Sequence, residues 1–584
     1  MKQILYSLVL IILISFSSKA QYVVRNASEL ENLKSLPQEK VYLHHSGPVI
    51  FSGEYFYYAF YCLDAQKSRK SAISTVGYIA VINDKNEYVL EQKIKLEKGL
   101  AQGDFFVNTD LPSGIYKILG YTQWMKNNGI SQVFKDDLVI INPYKNSRDD
   151  IHTNDANIIV ENLEISQDSA TIALEVEKSI FKSRERVKLT LKNYKGQLGY
   201  GDYTIRVQKK EELPFTTTNT AIRFTHNYLK VDKTITNRIG DSIYLPEQRG
   251  ELLYGTVLNA NTKTPAVDKT VVISIPGEEF LLKFAKTDND GNFYTYVKKD
   301  YKTSNAVFQV NDLETNYNIQ QKTPTKLDVS DLSFRPLVLD KNYKNAILRR
   351  SIDNQLENQF FSQKPDSVLL GDIIDPFDGG VPETVYLDDY TRFKTLQETL
   401  VELLNKAGYR NNGKDADYIR IAQDFETFDE DYNSYPAIVL IDGVFIPNHE
   451  EIKDFEAQKI ESISLIRDQF RLADKDYQGI MAIKTFEGDY FNNYKSKYGI
   501  TAEIWKPIPK KNYYRQEYAA ENNNFENIPD YRRILFWQPH IAVESNQLQF
   551  EFFTSDSKGE YEIILDGFTT YGKPIYNSQT IIVE

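Results

Sequence analysis

The chain is poor in the residues that build covalent or metal-centred sites. Among 584 residues there is one cysteine, Cys62, with only six histidines, three methionines and three tryptophans. A single cysteine excludes an intrachain disulfide and every multi-cysteine zinc or iron–sulfur centre. Basic residues are outnumbered, and the net charge of −12 argues against a sequence-independent nucleic-acid binder, which needs a basic face for phosphates. No G-x-S-x-G elbow, H-E-x-x-H helix or glycine-rich phosphate loop occurs in the sequence. Beyond the first twenty residues no apolar run approaches the length of a membrane-spanning helix, so no transmembrane span is expected in the mature chain.

The N-terminus is the exception to that polarity. Lys2 supplies a positive end, Ile4 to Ile14 an apolar stretch, and Ser15 to Ala20 a small-residue exit. Ser18 and Ala20 stand at the −3 and −1 positions of a signal-peptidase site, so residues 1–20 read as a signal peptide cleaved before Gln21. The apolar run is too short to anchor comfortably in a bilayer, which needs about 20 residues. An exported chain without disulfides must rely on large apolar cores.

What is abundant is tyrosine and phenylalanine, 40 and 32 residues, which favour half-buried pleated surfaces. After a short helix over Ala27 to Leu36, capped by Asn26 or Ser28, the texture becomes strands broken by turns. Strands are expected at 41–43, 54–62, 76–82, 88–96, 103–107 and 115–121, and their spacing predicts a β-sandwich over 21–145. A second sandwich is expected over 158–213, entered through a polar linker from Asn146 to Asn157. A turn-and-strand pattern recurs three times, at Gly114-Ile115-Tyr116, Gly201-Asp202-Tyr203 and Gly559-Glu560-Tyr561. Each repeat marks a late strand of a candidate sandwich domain.

Residues 249–312 form a third β unit, with Thr287-Asp288-Asn289-Asp290-Gly291-Asn292-Phe293 as a tight acidic turn. Its glycine stands fourth from Asp288 rather than sixth and no glutamate closes the loop, so it reads as a hairpin turn and not an EF-hand. Helices are expected over Asn342 to Gln355 and Thr395 to Ala407 from apolar residues at helical spacing. Over 384–490 a buried strand at Ala437 to Ile441 meets the two-residue turn Asp442-Gly443. A connector, a strand at Ile460 to Ile466 and another at Ile480 to Thr485 complete a small α+β unit. Pro507 to Pro529 reads as a linker, and 530–584 as a final β unit. The fold class is therefore mainly β and multidomain: Ig-type β-sandwiches plus one small α+β domain.

These blocks carry resemblances. Glu39-Lys40-Val41-Tyr42-Leu43-His44, Ser52-Gly53-Glu54, Gly99 to Gly103, Leu111 to Tyr116 and Tyr121-Thr122-Gln123-Trp124-Met125 resemble the macroglobulin-like domains of bacterial alpha-macroglobulin relatives. Gly255-Thr256-Val257, Pro265 and the Thr287–Phe293 turn resemble a carboxypeptidase regulatory-like domain. Pro436 to Val444, Ile460-Glu461-Ser462-Ile463 and Gly479 to Thr485 resemble the plug of TonB-dependent receptors. The order resembles exported proteins of Bacteroidetes-type bacteria. Two departures stand out. Cys62 sits in the strand Phe60-Tyr61-Cys62-Leu63-Asp64, not in a Cys-Gly-Glu-Gln thioester. Fewer than a hundred residues follow Tyr490, too few for a 22-stranded barrel.

Chemistry is scarce in this reading. His449-Glu450-Glu451 lacks a second histidine four residues on. His44 and His45 are adjacent on a strand and face opposite ways, which assigns them structural or exposed roles. The carboxylates Asp424, Glu426, Asp429, Glu430 and Asp431 read as a solvated loop face. No catalytic, cofactor-binding or metal-binding residues are assigned, and the expectation is a protein that is not an enzyme.

The plug resemblance implies a non-catalytic interaction or scaffold protein, periplasmic and associated with the outer membrane. It would be an accessory subunit of a hetero-oligomer, docking to an outer-membrane β-barrel protein or complex in transport, assembly or secretion. Asp442, Gly443 and Val444 would form the docking rim. The competing reading is a protease-sensing or inhibitory protein resembling alpha-macroglobulins, baited within Pro507 to Pro529. A third is a binder of glycan or siderophore through exposed tyrosines, although no clustered tryptophan platform is visible in the sequence.

Overall fold

The computed structural model describes residues 22–145, 167–213, 219–229, 235–369 except 278 and 314, 380–411, 417–424, 429–494 except 474, 497–518 and 527–584, with isolated positions between. The expected signal peptide and most of the linker from Asn146 to Asn157 lie outside the described residues. Within that linker the backbone of Ile151–His152 pairs in parallel with Leu337–Val338. The chain is mainly β and divides into two compact units. A sandwich unit is made of Gln21–Gln248, Lys326–Leu370 and Pro507–Glu584, and a central unit of Arg249–Thr325 and Gly371–Lys506.

In the sandwich unit, the helix Ala27–Ser35 is capped by the Asn26 side chain, which accepts the Glu29 amide. The first sandwich follows. One sheet runs in the order Val49–Phe51, Phe134–Ile141, Gly114–Tyr121, Val76–Ile82 and Tyr88–Lys95. The other is built on Tyr55–Asp64, which pairs with Glu39–His45, Arg69–Lys70 and Leu100–Phe106. Seven consecutive residues of Val76–Ile82 are buried, because this strand is covered on both faces.

The second sandwich corrects the expected domain plan. Strand Gly201–Lys209 is flanked on one side by Ile534–Val543 and on the other by Gly559–Thr569. Arg186–Asn193 likewise pairs with Gln547–Phe553. The segments expected as a second sandwich over 158–213 and as a separate C-terminal unit over 530–584 therefore share one core, which includes Val187, Leu189, Ile205, Ile563 and Leu565. Half a sandwich cannot cover its own apolar faces. The entropy of closing so long an intervening loop rises only logarithmically with length, so the distant half can supply the cover.

The threefold repeat now has a structural meaning. The Tyr116 hydroxyl donates to the Pro112 carbonyl at 2.9 Å, Tyr203 to Gly199 at 2.9 Å and Tyr561 to Ser557 at 2.7 Å. Each is a tyrosine corner, in which a buried ring is tied by its hydroxyl to the backbone four residues upstream. Two of the three corners lie on neighbouring strands of one sheet, so three repeats serve two sandwiches.

The central unit contains the third β unit and the α+β block. Glu251–Asn259 lies between Asn292–Val297 and Tyr317–Lys322, and a facing sheet runs Leu281–Lys286, Thr270–Ile275, Asn305–Val310, Gly499–Glu503. The expected unit over 249–312 thus gains Tyr317–Lys322 just past its end and Gly499–Glu503 from beyond the α+β block. Its acidic turn is a turn: Asp288 Oδ1 accepts the amides of Asp290 and Asn292 at 3.0 and 2.9 Å, and Gly291 takes φ +74°. The α+β block has a five-stranded sheet ordered Glu383–Tyr386, Ile460–Leu472, Lys475–Thr485, Ile438–Ile441, Val444–Phe445. Its helix Leu396–Leu403 opens with a capping box between Thr395 and Glu398 and buries Leu396 and Leu400. It ends four residues earlier than expected, since Ala407 begins a strand.

Removing a single corner hydroxyl should be felt across the shared sandwich. Tyr203→Phe and Tyr561→Phe, both on fully buried rings, are each expected to cost about 1 kcal/mol through the orphaned carbonyl. Urea unfolding midpoints check this, and the same substitution at half-exposed Tyr194, outside any corner, should leave the midpoint unchanged.

Candidate functional site

The three residues expected at a docking rim are covered. Asp442 and Gly443 form a two-residue hairpin turn, both with positive φ (48° and 80°), so that Ile441 faces Val444. The Asp442 carboxylate accepts the Thr485 amide and hydroxyl at 2.8 and 2.6 Å and the Tyr490 amide at 3.1 Å. Val444 is fully buried. A Cβ on Gly443 would stand 2.2 Å from Phe280 Cβ, and the Phe445 amide donates to Ser274 Oγ. Buried turn residues of this kind hold the central unit together. They present no side chain for docking.

The scarce chemistry is likewise taken up by the fold. His44 is buried with Nδ1 3.0 Å from Asp566, a carboxylate that also accepts the Tyr42 hydroxyl and the Ala221 amide. His45 sits between the Gly47 carbonyl and Asp136. His449 Nδ1 accepts the Ile419 amide at 2.9 Å, and burial pushes its pKa down to about 4. Cys62 is buried, and its thiol is pushed well up by desolvation. Of the acidic stretch, Asp424 pairs with Arg467 at 3.2 Å and Asp429 caps its own turn; Glu426 lies outside the described residues. Among the described residues no group of three metal-ligating side chains forms.

A cleft of about 180 Å³ in the sandwich unit brings together residues from four separated stretches of the chain. The first wall is the helix Lys344–Gln359. Helical spacing had predicted an apolar face here, yet the buried stripe is polar (Arg350, Ser351, Asn354), while Leu348 and Ile352 are 56% and 49% exposed. The inversion has a cause. Asn354 and Asn358 donate to the carbonyls of Ser52 and Gly53 at 3.0 and 2.7 Å, and Arg350 makes a two-pronged bond to Glu54 at 2.8 and 2.7 Å. Arg350 also donates to Glu211 at 2.6 Å and to the Val49 carbonyl, and lies over the Phe51 ring. Burial alone would raise the Glu54 carboxyl, but Arg350 holds it below the usual range.

A second buried charge group adjoins the first. Arg532 makes a two-pronged bond to Asp530, each arm 2.7 Å, and Lys364 bonds Glu357 at 2.7 Å. Against the effect of burial, Arg532 and Lys364 hold the Asp530 carboxyl down to about 2. The remaining wall is aromatic. Tyr55 stacks on Phe361 at 5.0 Å, Tyr57 meets Tyr513 edge-on at 5.1 Å, and Trp537 lies 5.9 Å from Tyr57.

No protein-family model and no curated protein matches this sequence. Among solved structures, the chain is similar to Escherichia coli alpha-2-macroglobulin activated by porcine elastase, at 9% identity over 94% of this chain and 44% of that one, with a TM-score of 0.24. Trypsin-activated alpha-2-macroglobulin from Escherichia coli gives 9%, 96%, 24% and 0.15 for the same quantities. Dimeric latent PorU from Porphyromonas gingivalis gives 11%, 49%, 33% and 0.16. The chain spans less than half the length of each. At these TM-scores the architecture rests on the chain's own sheets, and no activity transfers.

Sequence reading missed the cleft because its parts are hundreds of residues apart and one was read as a linker. Lys511–Asn512 pairs with Ser367–Val368, the Tyr514 amide donates to Asp366, and Gln516 is buried. Residues 507–518 are thus a packed strap, while 519–526 lie outside the described residues. The one sequence signal was the run Tyr531-Arg532-Arg533-Ile534-Leu535-Phe536-Trp537, dense in both aromatic and basic residues.

Arg350→Met should leave Glu54 and Glu211 buried without a counter-charge and destabilise the sandwich unit by about 3–5 kcal/mol in urea unfolding. Adding Glu54→Gln and Glu211→Gln should restore part of that loss. A pH effect is expected in the central unit. Folded His449 binds a proton less readily than unfolded, so its contribution is complete above the ordinary value of 6.5 and is lost as the pH falls towards 4. The loss reaches about 3 kcal/mol. His449→Gln, whose oxygen can accept the Ile419 amide, should flatten that part of a stability–pH curve followed by Trp505 fluorescence.

Proposed function

We propose that this chain is a non-catalytic, exported interaction protein that works at the outer membrane as an accessory subunit, docking to a β-barrel protein or complex. The signal-like N-terminus and the multidomain β architecture support this reading. A single observation carries the docking part. The five-stranded sheet of the central unit has one buried edge, Val444–Phe445, and one exposed edge, Glu383–Tyr386. Among the described residues no further strand pairs with Glu383–Tyr386. Around it Val381 is 85% exposed, and Tyr386 and Tyr390 are about half exposed. An open edge flanked by apolar and aromatic side chains accepts an extended strand of a partner through main-chain hydrogen bonds. The docking surface in this reading is therefore the edge opposite the Asp442-Gly443-Val444 turn.

Photo-crosslinking in whole cells tests it. A benzoylphenylalanine replacing Tyr386 should capture a heat-modifiable outer-membrane protein, and one replacing exposed Tyr194 in the sandwich unit should not. Recovery of the protein uncrosslinked, or crosslinked equally from both positions, would sink the reading.

A further inference from the structure

We infer that the cleft of the sandwich unit binds one neutral sugar residue of a glycan. The inference concerns a different unit from the docking edge and does not depend on the outer-membrane reading.

Charge is balanced across the cleft. The lining carries four carboxylates and four cations, and the most buried of them neutralise one another, as in Glu54 with Arg350 and Glu357 with Lys364. An ionic ligand would have to break pairs already closed, and breaking a buried pair is costly. A neutral ligand leaves them intact. The second observation is the aromatic wall. Phe361, stacked on Tyr55 with an interplanar angle of 10°, is 41% exposed, while Tyr57 and Trp537 continue the aromatic surface inward. Flat rings of this kind suit a ligand with an apolar face, and a pyranose presents axial C–H groups on one face with hydroxyls around its edge.

The third observation concerns hydrogen bonds. Trp537 Nε1, Arg533 Nε and Gln208 Oε1 are buried polar atoms of lining residues with no hydrogen-bond partner among the described residues. Native proteins rarely leave buried polar atoms unsatisfied; all three are closed to solvent in the free cleft, so a movement of the wall on binding must bring them to a ligand that both donates and accepts. Hydroxyls do both. Trp537 and Arg533 can only donate at these atoms, and the Gln208 oxygen can only accept. The volume, about 180 Å³, is below the range of drug-sized pockets and suits one ring rather than a long chain.

The test uses the full mature chain. It is titrated calorimetrically with glucose, galactose, mannose, N-acetylglucosamine and their disaccharides, and with glucuronic acid and sialic acid as charged counterparts. Saturable binding of at least one neutral sugar is expected. Trp537→Phe keeps the ring and removes the donor, and should weaken that binding about five-fold. Phe361→Ala removes an exposed rim ring and should weaken it about ten-fold. Tyr294→Ala, on the central unit, should change nothing. Melting temperatures matching the parent establish that both cleft variants fold. Three results would overturn the inference: no saturable binding of any neutral sugar, binding confined to the charged sugars, or binding unchanged in both cleft variants.

Discussion

Arg350 sits where three parts of the sandwich unit converge. Its guanidinium bonds Glu54 in the first sandwich and Glu211 just past a central strand of the second, and the helix that carries it grips the Ser52–Gly53 turn through Asn354 and Asn358. A buried cation between two carboxylates is not in itself a source of stability, because desolvation offsets much of the Coulombic gain. What it supplies is registry. The pairs close only when helix, turn and strand end are in place together, and the cleft exists because those elements are held at that spacing.

The same demand for mutual satisfaction explains why the second sandwich is divided in sequence. Gly201–Lys209 has an apolar face and two strand edges, and both edges are filled by strands that come more than three hundred residues later. The tyrosine corners at Tyr203 and Tyr561 fix the starts of two neighbouring strands of that sheet. In the central unit Gly499–Glu503 plays the same completing part for Asn305–Val310. Insertions can be long wherever the elements they separate are cooperative, since loop length adds little entropy once the ends are held.

Local chemistry was legible before any tertiary information. The Asp442-Gly443 turn, the Asp288 turn, the Asn26 cap and the helix starting near Thr395 were all readable, because each depends on a few adjacent residues and on backbone conformations that only certain side chains favour. The three Gly-x-Tyr repeats were visible too, although their meaning was not: the hydroxyl's partner lies four residues back, but its burial depends on the facing sheet. The Lys344–Gln359 helix shows the opposite case. Its position followed from helical spacing, and the side it buries did not, because periodicity assumes an apolar neighbour and its actual neighbours are carboxylates and backbone carbonyls.

The sequence by itself determined the class of this protein: β-rich, multidomain, without disulfides, and with too few cysteines and histidines for an elaborate metal centre. It determined these because composition and short-range pattern act residue by residue. Only the tertiary structure decided which segments share a core, that the turn at Asp442 is covered while the edge at Glu383 is open, and that Trp537, Tyr513, Phe361 and Arg350 line one cleft. Those facts depend on long-range pairing of strands and on the satisfaction of buried charges, which no local window of sequence contains.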